Sequence, residues 1–418
     1  MRWLRAMLGG DGEIPRVFVV VALVDSIGTG MFLAGSTIFF VRSVGLTPAQ
    51  VGLGLAVAGA VGFVSAVPIG ALADRLGSRQ VLVAVQLWRA ASQVGLAFAA
   101  GPLAFTVLAS CLAVADGAAS GLTQSVVSDA VGPQRRVPTM AAMRALRNVG
   151  FGVGALATAP LLAAGTEWTY RSVMLGDALS FVVAAVLLSR VRTSRPRPDG
   201  RPRQSPLRAL ASVRDHRYLA LAGLNGVLCL HMTVLAVLIP LWTIESTAAP
   251  AAVVPFAVVV NTVLAVVLQV RFSQAARGVS GGARALRWSG VAMAGACLLI
   301  AVTGRTNVWL SVCVLAVGVL LLTFGELWQS AGGWELSYAF ADQETLSTHL
   351  AVFNLGTTAQ SILGPALLAP TVLSGDGVGW LALSVVFVVV ATLVAPTVTA
   401  LTRALPEPVP LAAHRSPS

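Results

Sequence analysis

Residues 51–100 read VGLGLAVAGA VGFVSAVPIG ALADRLGSRQ VLVAVQLWRA ASQVGLAFAA. At their centre lies Gly70-Ala71-Leu72-Ala73-Asp74-Arg75-Leu76-Gly77-Ser78-Arg79, a charged turn between two apolar runs at 49–71 and 81–100. A membrane-crossing helix needs ~20 mainly apolar residues. Both runs meet that length, so the stretch predicts a hairpin of two spanning helices with its turn at the membrane surface. Gly70 lets the helices approach closely, and Gly77 permits the tight turn. Asp74 can accept hydrogen bonds from arginines or from the N-terminus of a neighbouring helix.

The rest of the 418 residues has the same texture. Hydrophobic residues make up 56% and charged residues 11%, whereas a soluble domain carries roughly a quarter charged residues. Such a chain cannot cover a water-facing surface, so its outside meets lipid. The net charge of +11 comes from arginines in short gaps between apolar runs. No soluble basic domain holds them, which points to anionic membrane surface rather than nucleic acid. All 28 basic residues are arginine. Without lysine there is no phosphate-loop lysine and no Schiff base, so an ion gradient is the expected energy source. Cys111, Cys229, Cys297 and Cys313 lack metal-type spacing, and His216, His231, His349 and His414 are far apart. No metal and no cofactor are expected. No His-Glu-x-x-His pattern occurs, and no room remains for a soluble catalytic domain, so the chain does not read as an enzyme.

Windows of spanning length fall at 17–40, 49–71, 81–100, 103–127, 139–164, 172–189, 218–243, 251–271, 287–304, 307–329, 347–371 and 379–401. The first, preceded by Arg2, Arg5 and Arg16, has no clear cleavage site and reads as a retained span. With both termini in the cytoplasm, 24 arginines lie inside and three (Arg42, Arg171, Arg305) outside. That is the positive-inside pattern. The inside group includes Arg144 and Arg147, which are expected to reach the cytoplasmic interface from the first turns of span five. The stretch 190–217 holds nine arginines and four prolines. It divides a bundle at 1–189 from a second at 218–402, with a tail at 403–418; Leu207, Leu210 and Val213 leave a short interfacial helix open within it. The halves echo each other. Span five carries Asn148-Val149-Gly150 and then Ala159-Pro160; span eleven carries Asn354-Leu355-Gly356 and then Gly364-Pro365. Gly150, Gly154, Pro160, Gly364 and Pro365 are the candidate helix-packing residues. The expected fold is an all-α membrane protein of twelve helices in two pseudo-symmetric six-helix bundles.

The 70–79 turn resembles the signature loop of the major facilitator superfamily, Gly-x-x-x-Asp-Arg-x-Gly-basic-basic, and lies where that family has it. With twelve spans and a long central loop, the resemblance covers the whole chain. It implies the major facilitator fold and a gate formed by Gly70, Asp74, Arg75, Gly77 and Arg79, with Ser78 departing from the pattern. The loop after span eight, Arg271-Phe272-Ser273-Gln274 followed by Arg277-Gly278, lacks the acidic residue. Span five, Gly325-Glu326 and Gly364-Pro365 look similar to efflux-type members, although span four lacks the arginine common among drug-proton antiporters.

A charge at the bilayer centre costs ~2.5–3.5 kcal/mol on insertion scales, so intramembrane charges are functional candidates. They are Asp25, Arg89, Asp116 and Glu326, with Asp177 nearer the outer edge of span six and Glu326 nearer the cytoplasmic end of span ten. Asp25 and Arg89 lie at matching depth and can pair if their helices face each other. Two carboxylates competing for one arginine leave one free to bind and release a proton; a purely structural ion pair is the alternative. His231, Asn148, Asn354 and Gln360 are cavity candidates. Trp242, Trp309, Trp328, Trp334 and Trp380 read as interface anchors, and Trp88 as packing on Arg89. The resemblance implies alternating access with proton-coupled export of a small amphipathic drug or metabolite through the plasma (inner) membrane, by a chain for which a monomer suffices. Import of a small nutrient, and a membrane sensor or membrane-embedded enzyme, are the alternatives.

Overall fold

The computed structural model describes residues 16–42, 44–164, 166–191, 215–250, 253–373 and 377–404. The interfacial-helix reading at Leu207–Val213, most of the 190–217 linker and the tail beyond 404 lie outside these residues.

Apolar runs in lipid must satisfy every backbone group internally, and the chain does so with helices. They are α1 (Arg16–Arg42), α2 (Pro48–Leu76), α3 (Ser78–Ala97), α4 (Gly101–Val131), α5 (Arg136–Ala164) and α6 (Glu167–Ser189). The second set is α7 (His216–Ser246), α8 (Val253–Ala275), α9 (Gly278–Thr303), α10 (Val308–Ala339), α11 (Leu346–Leu373) and α12 (Val378–Ala404). Short polar caps start them: Thr47 with Gln50, Thr166 with Thr169, and Asn307 accepting from the Leu310 amide. Gly77 takes φ +99° in the α2–α3 turn, a conformation only glycine adopts freely. Among the described residues, nine helices are long and apolar enough to cross a membrane. The other three are α3, α5 and α11.

The fold is the expected twelve-helix arrangement, two halves of six helices. Its repeat is visible in the packing. In the first half α5 lies on α1, where a Cβ on Gly150 would meet the Leu23 carbonyl at 2.9 Å and one on Gly154 would meet the Ile27 carbonyl. In the second half α11 lies on α7, with Gly356 against Gly226 and Gly364 against Thr233. Small residues let backbones approach where lipid gives no hydrophobic drive to associate. Pro160 lies within α5 and Pro365 within α11. Each half has its own apolar core, and a smaller cluster of Val137, Tyr338, Ala341, Leu346 and Leu350 joins the two at the end that carries the 70–79 turn.

Several sequence expectations change. α9 begins at Gly278 and α10 ends at Ala339, about ten residues beyond the apolar windows, because helices continue through the headgroup layer after hydropathy falls. Glu326 therefore lies deep in α10 and is 8% exposed, not partly solvated near its end. Asp177, 2% exposed, is mid-helix because α6 starts at Glu167. Trp242 and Trp380 are buried and meet edge to face, so they are core residues. Trp88 is half-exposed and donates to the Cys111 carbonyl rather than packing on Arg89. α7 is not uniform: a π turn covers Val234–Leu238. Pro240 has no N–H for the Ala236 carbonyl and its ring crowds that group; a π turn accommodates both.

Candidate functional site

The first half gathers its charge around one arginine. Gln86 and Arg89, three apart on α3, share a face. Arg89 Nη1 donates to Asp25 Oδ1 of α1 at 3.0 Å and to Gln86 Oε1 at 2.8 Å. Its Nε lies 2.6 Å from Asp116 Oδ1 of α4. The guanidinium stacks 3.8 Å from the ring centroid of Phe181 on α6. Gln86 Nε2 closes the network by donating to Asp25 Oδ1 at 3.0 Å. Asp177 stands nearby on α6, and its Oδ1 has no hydrogen-bond partner among the described residues. Arg89 is nearly buried, whereas the Asp116 side chain is 46% exposed. It looks into a chamber of about 280 Å³ lined also by Asp25, Arg89 and Arg147.

A second chamber, about 300 Å³, lies between the halves and is walled by α4, α5, α7, α10 and α11. The two chambers share Ser120, Thr123, Met143 and Arg147. α5 presents Arg144, Arg147, Asn148 and Phe151 to the central one. Their spacing of i, i+3, i+4 and i+7 is one stripe of a helix. The two arginines are therefore cavity residues, not interface residues; Arg147 lies roughly 16 Å along α5 from its first residue. Sequence reading missed them because it placed the start of the span close to them. The stripe itself, and an intramembrane Glu326 in need of a cation, were the available signals.

Arg144 Nη2 pairs with Glu326 Oε1 at 2.6 Å, bridging the halves, and Glu326 Oε2 accepts from Asn261 Nδ2 at 2.8 Å. The four candidate coupling residues thus fall into two groups: Asp25, Arg89 and Asp116 together, and Glu326 apart. Of the cavity candidates, Asn148 and Asn354 line the central chamber. Asn354 Oδ1 accepts from Ser120 and Gln124, both at 3.2 Å, tying α11 to α4. His231 is buried with Nδ1 2.8 Å from the Leu228 carbonyl and lines neither chamber. Gln360 donates to Thr233 at 2.6 Å and faces a separate apolar groove between α7 and α11.

The end that carries the 70–79 turn is closed. Asp74 accepts from the Ser347 and Thr348 amides at 2.8 and 2.9 Å and from the Thr348 hydroxyl at 2.6 Å. A carboxylate there caps the first turn of α11, where unpaired N–H groups and the helix dipole both favour it. Gly70 packs on the Ser347 carbonyl, and Arg79 donates to the Val191 carbonyl at 2.8 Å within its own half. Gly77 shapes the turn; Arg75 lies in the last turn of α2. Ser125 and Ser347 are 2.8 Å apart, and Tyr338 donates to the Gln124 carbonyl at 2.7 Å. These contacts between the halves, with Arg144–Glu326 and the Asn354 bonds, lie at the level of the central chamber or between it and this end.

Comparison with known proteins agrees with this architecture. A family model described as Major Facilitator Superfamily matches residues 18–365. No curated protein matches the chain by sequence. Among solved structures, it is similar to the human organic anion transporter MFSD10 (18% identity, TM-score 0.58), covering 93% of this chain and 99% of that one. The nucleoside transporter NupG matches at 15% identity and TM-score 0.56, over 92% and 98% of the two chains. The proton:xylose symporter XylE, bound to 6-bromo-6-deoxy-D-glucose, matches at 14% identity and TM-score 0.68, over 91% and 95%. At these identities the likeness is one of fold.

Proposed function

The chain belongs to the Major Facilitator Superfamily, and on that premise we propose that this multi-pass membrane transport protein is a proton-coupled secondary transporter exporting a small amphipathic drug or metabolite by alternating access. The observation that carries the reading is the Asp25–Arg89–Asp116 cluster, opening on a chamber that shares walls with the central one. One arginine between two carboxylates holds both only while both are ionised. Protonating Asp116, the more exposed of the pair, frees Arg89 toward Asp25 and changes how α1, α3 and α4 are held together. A proton can in this way bias the equilibrium between the two facings of the cavity, provided the facings differ in affinity for it.

The latch of the cycle is the 70–79 turn, whose Asp74 must leave the α11 N-terminus before that side can open. We place that side in the cytoplasm of a plasma-membrane protein with both termini inside, acting as a monomer, with bundles at 1–189 and 218–402 joined by the arginine-rich linker. The substrates named for the similar structures are chemically diverse, so the fold leaves substrate open.

The test is transport by purified protein in liposomes under an imposed pH gradient. Export of an amphipathic probe should collapse with a protonophore, and Asp116→Asn should uncouple it. Proton dependence undiminished in Asp116→Asn would sink the coupling assignment. Import is the second reading, favoured by Arg147: an anionic nutrient needs an arginine in the cavity, and Arg147 lines it outside any ion pair among the described residues. Reversing the gradient in the same assay separates the two directions.

A further inference from the structure

We infer that the cavity takes solutes with an anionic group (a carboxylate, sulfonate or phosphate), held by Arg147 on the wall shared by the two chambers. This deepens the transporter reading and rests on it, whichever direction transport runs.

The argument begins with the charges on the chamber walls. Among the described residues these are Arg89, Arg144 and Arg147 against Asp25 and Asp116, with Glu326 reaching Arg144 from outside the lining. The pairing is uneven. Arg89 takes two carboxylates and Arg144 takes the third. Arg147 has no ion pair among the described residues. Its one specific contact is with the ring of Phe151, 5.8 Å from the guanidinium carbon to the centroid. Its side chain is exposed and lines both chambers.

A guanidinium is always charged, and its planar fork fits a carboxylate or phosphate with two parallel hydrogen bonds. Left unpaired at membrane depth, such a group calls for a compensating anion. Two further groups line the central chamber with it, Thr123 and the Asn148 amide, and neither has a hydrogen-bond partner among the described residues. Arg147 and Asn148 are neighbours on α5, and Thr123 faces them from α4. The rest of the wall mixes apolar Phe151, Met232, Trp334 and Phe353 with neutral polar groups that bond to one another, Gln329 to Asn225 and Gln124 to Asn354. A chamber of about 300 Å³ with unpartnered polar groups on α4 and α5 and aromatic and thioether side chains among its other lining residues fits a small amphipathic anion, its apolar body against the rings. A lipophilic cation placed on Arg147 would meet like charge at contact, while the carboxylates that act on Arg147 from a distance, Asp25 and Asp116, are held in contact with Arg89.

The test uses three probes of one shape: 2-naphthoate, 2-naphthylmethanol and 2-naphthylmethylammonium. Each is titrated into the full chain in phosphatidylcholine nanodiscs, followed by tryptophan fluorescence and thermal shift. The naphthoate should bind roughly tenfold or more tighter than the other two. Arg147→Gln should remove that preference, bringing the naphthoate down to the level of the alcohol; Arg147→Lys should keep part of it. The melting temperature of each variant without probe shows whether it is folded. The proposal is overturned if the three probes bind alike or not at all, if the ammonium binds best, or if the naphthoate preference survives in a folded Arg147→Gln. It is also overturned if only phosphatidylglycerol in the nanodisc gives the Arg147-dependent response, which makes this a lipid-headgroup site. An anion preference that holds while no probe is transported counts against the transporter reading and leaves the anion site standing.

Discussion

The two halves of the molecule pack alike and are charged differently. Gly150 and Gly154 seat α5 on α1, and Gly356 and Gly364 seat α11 on α7. The charges do not repeat: Arg89 with Asp25, Asp116 and Asp177 belongs to the first half, whereas the second-half wall offers neutral Asn225, Cys229 and Gln329. There Gln329 donates to Asn225 at 2.9 Å, a neutral bond where the first half has an ion pair. Close packing of backbones is a steric demand that each bundle must meet. Charge at membrane depth is costly and is kept only where something uses it. The asymmetry gathers the intramembrane charge in the first half and leaves the second to contribute one carboxylate, Glu326, to an arginine from α5.

The severest way to break that comparison is to remove the arginine at its centre. Arg89→Leu leaves Asp25 and Asp116 facing each other without a counter-charge. Removing one partner of a buried pair typically costs about 3–5 kcal/mol, so the variant should melt well below the parent and fail to transport. Neutralising all three, with Asp25→Asn and Asp116→Asn added, should restore most of the stability and none of the coupling. A loss under about 1 kcal/mol in the single variant would mean the cluster is solvated like a surface pair.

The symmetric side of the comparison is tested by filling the glycines. A Cβ at Gly154 or Gly356 would collide with backbone of α1 or α7, while Gly152, on the other side of α5, has nothing within 4 Å. Overpacking costs about 1–3 kcal/mol, so Gly154→Ala and Gly356→Ala should destabilise to similar degrees. Gly152→Ala should be neutral or slightly stabilising, since alanine is the better helix former. Unequal losses at Gly154 and Gly356, measured by thermal unfolding in the same detergent, would show that the repeat is one of topology and not of energetics.

These residues also show what the sequence reveals and what it hides. Twelve helices were legible because lipid allows few other solutions, and the level shared by Asp25 and Arg89 followed from counting residues along two helices. Arg144 and Arg147 were not placed, because a hydropathy window detects where a helix enters hydrocarbon and not where the helix begins. The same blindness shortened α10 and moved Glu326 toward water on paper. Trp242 and Trp380 sit near apolar run ends as interface anchors do, yet they pack on each other; nothing in one sequence distinguishes the two uses.

The smallest expected effects come from the two turns at the closed end, and they differ in a way that a labelling rate can read. Asp74 caps α11, which belongs to the other half. Glu335 of α10 accepts from the Gly278 amide at 2.9 Å and so caps α9 inside its own half. Each charge–dipole contact is worth about 0.3–1 kcal/mol, rising to ~2 when partly buried. In Asp74→Asn that loss falls on the closed form alone and shifts its balance with the open one, by about tenfold for each 1.4 kcal/mol. In Glu335→Gln it falls on both forms equally and shifts nothing. Cys229 in the central chamber reports the difference once Cys111, Cys297 and Cys313 are replaced by alanine. A maleimide added from the 70–79 side should label Cys229 several-fold faster in Asp74→Asn and at the parent rate in Glu335→Gln. Equal acceleration in both would mean that the second turn also spans the halves during the cycle, and the latch would then have two parts.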